Sequence, residues 1–287
     1  MFTLTGINTH IENLYKVSAP FLGDLQPTTL QELRPAYLEF LASVHPGFPI
    51  SAKNSLLVTD ERRGRELASA FSASKIDDLD QERMVGEGYS QDLLNSNLEL
   101  ADASLAKLSR LHPQLSELFH VVVHSLLLRG SDRNREGSRA HGGTTNRCIG
   151  LIWLNLDPSC SVHNVLEMLV HEFIHTVVFI DELNYGHFDY ETLTKREYWA
   201  TSSILKRERP MDKVVHSILV SLEILMARQS YLPITDERDL FHPESAKLKS
   251  SALVSVDSVL SHPLRDEVCE PRAIELVEMA KLELLNL

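Results

Sequence analysis

Two histidines and a glutamate stand close together in one apolar stretch of the chain. The sequence His171-Glu172-Phe173-Ile174-His175 places two imidazoles four positions apart. On an α-helix such residues lie one turn apart on the same face, so both rings can hold one metal ion. Glutamate is the residue type that takes and returns a proton beside such an ion. The motif predicts a metal-dependent enzyme without specifying the metal or the reaction.

The motif belongs to a longer polar stripe on the same predicted helix. His163 and Glu167 precede His171 and His175 at the same four-residue spacing, in a segment that is otherwise apolar. Burying an imidazole or a carboxylate without a partner costs free energy, so these side chains need partners. A metal ion is one partner for the histidines, and Glu167 is expected to hydrogen-bond a ligand histidine.

A third ligand must come from elsewhere, because a catalytic metal usually takes three protein ligands and keeps a position open. The first candidate is His216, which lies in a second strongly apolar segment where an unbound imidazole is costly. His187 is a further histidine of this kind, downstream of the motif.

Three carboxylates are alternative third ligands. Asp181 stands ten positions after His171, the spacing that metzincins use, although Val178 occupies the place of the glycine that they need. Glu191 and Glu197 stand at distances that thermolysin-like zincins use. The choice between His216 and these carboxylates stays open at this stage.

The elements that must position these residues are mostly helices. Apolar spacing, capping residues and prolines predict helices over residues 28–44, 59–74, 89–111, 157–183, 191–206, 210–229 and 271–284. Aliphatic and β-branched residues predict strands over 121–128 and 148–156, joined by a polar loop over 129–146. The predicted fold class is therefore α+β, mainly helical, with a small sheet packed beside the HExxH helix as in a zincin-like core.

The length of 287 residues allows one large domain or a core domain with a helical appendage. A boundary near residue 115 would separate a helical N-terminal region, 1–115, from a metal-binding catalytic region, 116–287. The two regions can equally form one continuous domain. The oligomeric state cannot be predicted from the sequence.

Composition excludes several functional classes. A net charge of −12 argues against nucleic acid and against an anionic membrane surface, since both attract basic proteins. No apolar run has the length of a membrane span, and the first residues lack the pattern of a signal peptide. Three cysteines without C-x-x-C pairing fit a reducing compartment, so we predict a cytoplasmic enzyme.

About half of the chain, on the C-terminal side, resembles the HExxH-type α-ketoglutarate-dependent peptide β-hydroxylases. The resemblance rests on three stretches: His141-Gly142-Gly143 with residues 149–154, residues 167–175, and Arg209-Pro210 with Val214-Val215-His216. It implies that His171, His175 and His216 hold Fe(II), with open positions for α-ketoglutarate and O₂. It also implies that the substrate is a peptide or small protein that is hydroxylated on a side chain.

Further site residues follow from that resemblance. The distal carboxylate of α-ketoglutarate needs a cation, and the planar fork of arginine binds carboxylate at two points. Arg209 and Arg207 are the nearest candidates to His216 in the sequence. His141 is expected to face the substrate, because the bare backbone of Gly142 and Gly143 lets a ligand approach.

Two other functions remain open. The chain also resembles, more weakly, the zincin metallopeptidases, in which a zinc-bound water becomes nucleophilic near neutral pH. Glu172 would then act as the general base and pass the proton to the leaving amine. A non-catalytic protein with a closed structural metal site is the third interpretation. For either enzyme, the strand at 148–156 is expected to dock an extended peptide along its edge.

Overall fold

A computed structural model describes residues 2–72, 85–132, 139–202, 207–234 and 240–287 of the chain. The fold is mainly helical with two small sheets, which confirms the predicted fold class. The helices are α1 (Phe2–Thr5), α2 (Ile7–Ser18), α3 (Leu30–Val44), α4 (Glu61–Ala68), α5 (Gln91–Leu111), α6 (Pro113–Val122), α7 (Val162–Tyr185), α8 (Tyr190–Leu193), α9 (Met211–Ser230), α10 (Ser245–Leu260) and α11 (Pro271–Asn286). The strands are β1 (Ser125–Leu128), β2 (Gly142–Thr144), β3 (Leu151–Leu154), β4 (Trp199–Ser202) and β5 (Arg207–Pro210). The likeness of the core to a zincin stays a prediction.

The first sheet has three strands in the order β1-β3-β2. β3 lies in the middle, parallel to β1 and antiparallel to β2. The expectation that this strand docks a peptide along its own edge is therefore wrong, since both of its sides already carry ladder hydrogen bonds. The other two strands, β4 and β5, form a separate antiparallel ribbon that leads into α9.

The motif helix α7 is the central element of the fold. It packs against α2, α5, α9 and β2. Its first turn has a capping box, in which the Ser161 hydroxyl accepts from the Asn164 backbone N–H and the Asn164 side chain accepts from Ser161 in return. It ends at Tyr185, and the next residue, Gly186, adopts a positive φ of 67° that favours glycine. A helix fixed at both ends and packed on several sides is a rigid platform for its side chains.

One hydrophobic cluster contains buried residues from both proposed regions. Leu14, Tyr37 and Leu108 belong to the same cluster as Phe173 and Leu222. Side chains from both sides of the proposed boundary near residue 115 pack in this core, and the boundary itself stays a prediction.

Within the described ranges, no helix combines the length and the apolarity that crossing a membrane requires.

The first strand is shorter than the sequence predicted. Val121 and Val122 belong to the end of α6, and β1 begins only at Ser125. Pro113 starts α6, and both valines are fully buried on it. Burial in a helix outweighs the preference of β-branched residues for strands, which depends strongly on context.

Other segments also differ from the predictions. The predicted loop contains β2, and the second strand starts at Leu151 rather than Cys148 because Gly150 turns the chain with a φ of 86°. The predicted helix over 191–206 is instead the short α8, a 3₁₀ turn and β4, with residues 203–206 outside the described part. The predicted helix over 59–74 is observed as α4, with residues 73–74 outside the described part. Helices α1, α2, α6 and α10 were not predicted.

Candidate metal centre

The rings of His171 and His175 converge on one side of α7. Their Nε2 atoms lie 3.2 Å apart, and the ring planes are tilted by 58°. Two nitrogen ligands of a tetrahedral ion, each at about 2.0–2.1 Å, are separated by about 3.3 Å. The pair therefore has the spacing of two ligands on a single ion.

Glu172 completes this group of donors. Its carboxylate and the two imidazoles each offer an atom within 4.8 Å of the others, and Glu172 Oε1 lies 3.9 Å from His171 Nε2. Burial raises the pKa of Glu172 to about 8, although a hydrogen bond of 3.1 Å from the Thr144 hydroxyl to Oε2 opposes the rise. A cation beside the carboxylate would supply the missing positive charge.

Strand β2 approaches Glu172 closely. A Cβ atom added at Gly142 would lie 2.9 Å from Glu172 Oε1 and 3.0 Å from the Trp153 carbonyl oxygen. Position 142 therefore needs glycine because the Glu172 side chain lies so close to its backbone. The sequence had suggested instead that this glycine leaves room for a ligand. His141, just before β2, is exposed, and its ring stands edge-on to Phe241 at 5.4 Å.

We expect Gly142→Ala to disturb the site, because the added methyl group meets both a buried carboxylate and a backbone oxygen. The expected loss is about 1–3 kcal/mol of the free energy of unfolding, as for other overpacked positions. Gly143→Ala is the matched control, since its nearest neighbour would be Trp153 at an ordinary 3.4 Å. Urea denaturation and Co(II) affinity of both variants test this. Equal behaviour of the two would contradict the crowding seen at Gly142.

His216 contacts His175 from the other side. Its Nδ1 lies 2.9 Å from His175 Nδ1, and the two rings are almost coplanar at 19°. This nitrogen of His175 is not the one that faces His171. Joining the group as its third ligand would require His216 or His175 to turn its ring, so that role stays a prediction. Burial, followed by nearby positive charges, lowers the pKa of both rings well below the usual value, so both are neutral, as metal binding requires.

The three alternative carboxylates lie outside the group of converging donors. Glu191 and Glu197 are exposed. Asp181 is fully buried, but its carboxylate accepts hydrogen bonds from Asn13 at 2.9 Å and Arg272 at 3.0 Å. His187 Nε2 lies 2.9 Å from the same carboxylate. Asp181 and His187 therefore contact each other, and Asp181 also binds Asn13 and Arg272, so neither residue contacts the motif histidines in these bonds.

We expect Asp181→Asn to destabilise the fold without changing metal content. Burial alone would raise the pKa of Asp181, but hydrogen bonds from His187 and Arg272 outweigh it and lower the pKa. Breaking a buried pair costs about 3–5 kcal/mol. The stabilisation is present above the unfolded pKa of about 3.9 and is lost as pH falls through the lower folded value, so the difference between the two proteins should shrink in acid.

The control for that experiment is Glu197→Gln, an exposed carboxylate whose replacement should change stability by less than about 0.5 kcal/mol. Chemical denaturation at several pH values and metal analysis of both variants provide the measurement. Loss of bound metal from folded Asp181→Asn protein would show that Asp181 is a ligand after all.

Two cations lie near His175. Arg209 on β5 is 8% exposed, and the side chain of Lys213 in the first turn of α9 is 27% exposed. Both charges are close enough to lower the pKa of His175, after the larger effects of burial and the neighbouring histidines. Arg207 stands at the other end of β5 and is partly exposed. The sequence prediction missed Lys213, although it precedes His216 by one helical turn.

His242 is the main correction to the sequence-based site. It was not among the predicted site residues, but its side chain is 10% exposed and its Nε2 lies 2.7 Å from His171 Nδ1. Glu167 was expected to bond a ligand histidine directly. Instead it lies 2.6 Å from His242 Nδ1, and His242 in turn meets His171. No local signal in the sequence indicates this arrangement.

No protein-family profile matches the chain, and a search of curated proteins finds no significant match.

Proposed function

We propose that this protein is a metal-dependent enzyme, and specifically a non-haem Fe(II), α-ketoglutarate-dependent hydroxylase that acts on a peptide side chain. The observation that supports the metal is the convergence of His171 Nε2 and His175 Nε2 at 3.2 Å beside the buried carboxylate of Glu172. Imidazole and carboxylate donors suit Fe(II), and the two-histidine, one-carboxylate set is the usual one in this class of oxygenase.

In this proposal His171 and His175 hold the ion through Nε2, and His216 or the Glu172 carboxylate provides the third protein donor. With α-ketoglutarate and O₂, bound Fe(II) supplies the oxidising chemistry that converts a C–H bond to C–OH while α-ketoglutarate becomes succinate and CO₂. Where it is not a ligand, Glu172 orients the substrate beside the ion, since its Oε2 is already fixed by Thr144.

The cations near His175 favour the oxygenase over the peptidase. An α-ketoglutarate cosubstrate brings a second carboxylate that needs a positive partner next to the metal. Arg209 is buried on β5 and Lys213 lies one turn before His216, so both can meet that carboxylate. A zinc peptidase has no cosubstrate that would need such a cation, although Lys213 also pairs with Asp212 Oδ2 at 3.5 Å.

The peptide is best accommodated along β2. This strand is at the edge of the sheet, and it pairs with β3 alone among the described residues. An extended peptide can add itself to such an edge through backbone hydrogen bonds. It would then pass Thr144, which contacts Glu172, and reach His141 just before the strand.

The deciding experiment is anaerobic reconstitution of the metal-free protein with Fe(II) and α-ketoglutarate, followed by admission of O₂. Succinate formation that His171→Ala abolishes and His262→Ala leaves intact supports the proposal. His262 lies in the loop between α10 and α11, outside the group of metal donors. Activity that returns only with Zn(II), as cleavage of a peptide, would overturn it.

Arg209→Leu tests the cosubstrate site. Since a hydrogen bond to a charged group contributes about 1.5–3 kcal/mol, we expect the KM for α-ketoglutarate to rise by about 10- to 100-fold. Co(II) affinity should stay within a factor of about three, because Arg209 is not a proposed ligand. Arg209→Lys keeps the charge but loses the planar fork, so its KM for α-ketoglutarate should lie between those of the unchanged protein and Arg209→Leu. An unchanged KM in folded Arg209→Leu protein would assign the carboxylate to Lys213 or Arg207 instead.

A zinc-dependent peptidase is the second candidate, and the contact between Thr144 and Glu172 supports it. That contact holds a buried carboxylate 3.9 Å from His171 Nε2, a suitable place for a general base. Bound zinc would lower the pKa of its water to about 7.

A further inference from the structure

His242 is held in the loop between α9 and α10 by a buried ion pair. The backbone N–H of His242 donates to Glu167 Oε1 at 2.9 Å. Arg228 donates to the carbonyl oxygens of His242, at 3.1 Å, and of Pro243, at 2.7 Å. The backbone at His242 and Pro243 and the His242 ring are therefore fixed at several points by two side chains that belong to α7 and α9.

The ion pair itself has a geometry suited to this task. Arg228 donates to both carboxylate oxygens of Glu167, at 3.1 Å from Nε and 2.6 Å from Nη2, and both side chains are almost completely buried. Burial alone would raise the pKa of Glu167, but hydrogen bonds from His242 and Arg228 outweigh it and lower the pKa to about 2. At neutral pH the carboxylate is ionised and can only accept hydrogen bonds.

The hydrogen positions along this row follow from that acceptor. His242 Nδ1, which lies 2.6 Å from Glu167 Oε1, must carry a hydrogen atom. A neutral His171 that binds the ion through Nε2 carries its hydrogen atom on Nδ1, and this Nδ1–H donates to His242 Nε2 at 2.7 Å. The two rings are close to coplanar, at 14°, as expected for an in-plane hydrogen bond. His171 Nε2 is left without hydrogen, and this is the nitrogen that faces His175.

We infer that His242 is a positioning residue, which fixes the tautomer and the ring plane of His171 so that its Nε2 lone pair points into the metal centre. The inference rests on the proposed metal centre and goes beyond it by dividing the two motif histidines. The tautomer of His171 is fixed through His242 by the ionised carboxylate of Glu167, which binds the opposite nitrogen of the His242 ring. Within the described part of the chain, the Nδ1 of His175 meets the ring of His216 and no carboxylate, so its tautomer is free to change when a metal binds. Hydrogen-bonded partners of this kind affect metal affinity by about 10- to 100-fold.

The test compares His242→Leu with His242→Gln. The imidazole ¹⁵N chemical shifts of the metal-free protein report which nitrogen of His171 carries the hydrogen atom. We expect Nδ1–H in the unchanged protein, a mixture of tautomers in His242→Leu, and recovery of Nδ1–H in His242→Gln, whose amide oxygen can accept from His171. Co(II) affinity should fall by about 10- to 100-fold in His242→Leu and return most of the way in His242→Gln.

The control is His262→Leu, which makes the same replacement at a histidine outside this row and should change neither readout. A hydrogen atom on His171 Nε2 in the unchanged protein, or unchanged Co(II) affinity in folded His242→Leu, would overturn the inference. If His242→Leu does not fold, the tautomer of the unchanged protein and the His242→Gln affinity decide the question. Loss of Co(II) from His171→Ala with full binding by His242→Leu would refute the positioning role alone. Full binding by both would refute the metal centre as well.

Discussion

His175→Ala is expected to remove the bound metal and the turnover together. His175 lies between two other imidazoles: His171 Nε2 is 3.2 Å from its Nε2, and His216 Nδ1 is 2.9 Å from its Nδ1. Removing it deletes one donor and leaves the other two rings without their common neighbour. The loss of metal affinity should exceed the roughly 10- to 100-fold that follows when only a hydrogen-bonded partner of a ligand histidine is removed.

Metal analysis after dialysis and succinate formation under O₂ measure this result. His262→Ala is the matched control and should keep both. Circular dichroism separates loss of the ion from loss of the fold, because α7 has helical neighbours on several sides and should persist without one imidazole. A folded His175→Ala protein that keeps its metal and its activity would end the proposal of a metal centre on this helix.

Glu172→Gln is expected to distinguish the two candidate reactions. Glutamine preserves the size of the side chain, and its amide oxygen can still accept from the Thr144 hydroxyl. If Glu172 is a general base for zinc-bound water, peptide cleavage should fall by about 10²- to 10⁴-fold. In the hydroxylase no proton transfer by Glu172 is required. With His216 as the third donor, the variant should keep its Fe(II) and should still convert α-ketoglutarate to succinate; with Glu172 as the third donor, Fe(II) affinity and succinate formation should fall together.

The measurement combines metal content, succinate and peptide mass in one reaction, so that hydroxylation and cleavage are read from the same sample. Thr144→Val is a useful companion variant, because it removes the hydroxyl that contacts Glu172 but leaves the carboxylate in place. Peptide cleavage that depends on Zn(II) and on the Glu172 carboxylate, with no succinate under any condition, would establish the peptidase in place of the hydroxylase.

The corrections at the site share a physical cause. His242 precedes a proline in a short polar segment, a setting that is typical of exposed turns. It is buried because Glu167 and Arg228, which are 75 and 14 positions away, hold it against His171. Likewise, Gly142 and Thr144 look like parts of a loop, and only pairing with β3 makes them a strand beside Glu172. Such contacts depend on how distant segments pack, and periodicity in one sequence carries no information about that.

The sequence by itself determined what a single helix determines. Four-residue spacing fixes the relation of His171 to His175 wherever the helix lies, since the rise and twist of an α-helix are set by its backbone hydrogen bonds. The apolar residues around them predicted that this helix would be buried. The tertiary structure alone decided which nitrogen of each ring faces the centre and which side chains stand behind it. Those features arise from packing between α7, α9, β2 and a loop, where the free energy of burying each polar group depends on partners brought from far along the chain.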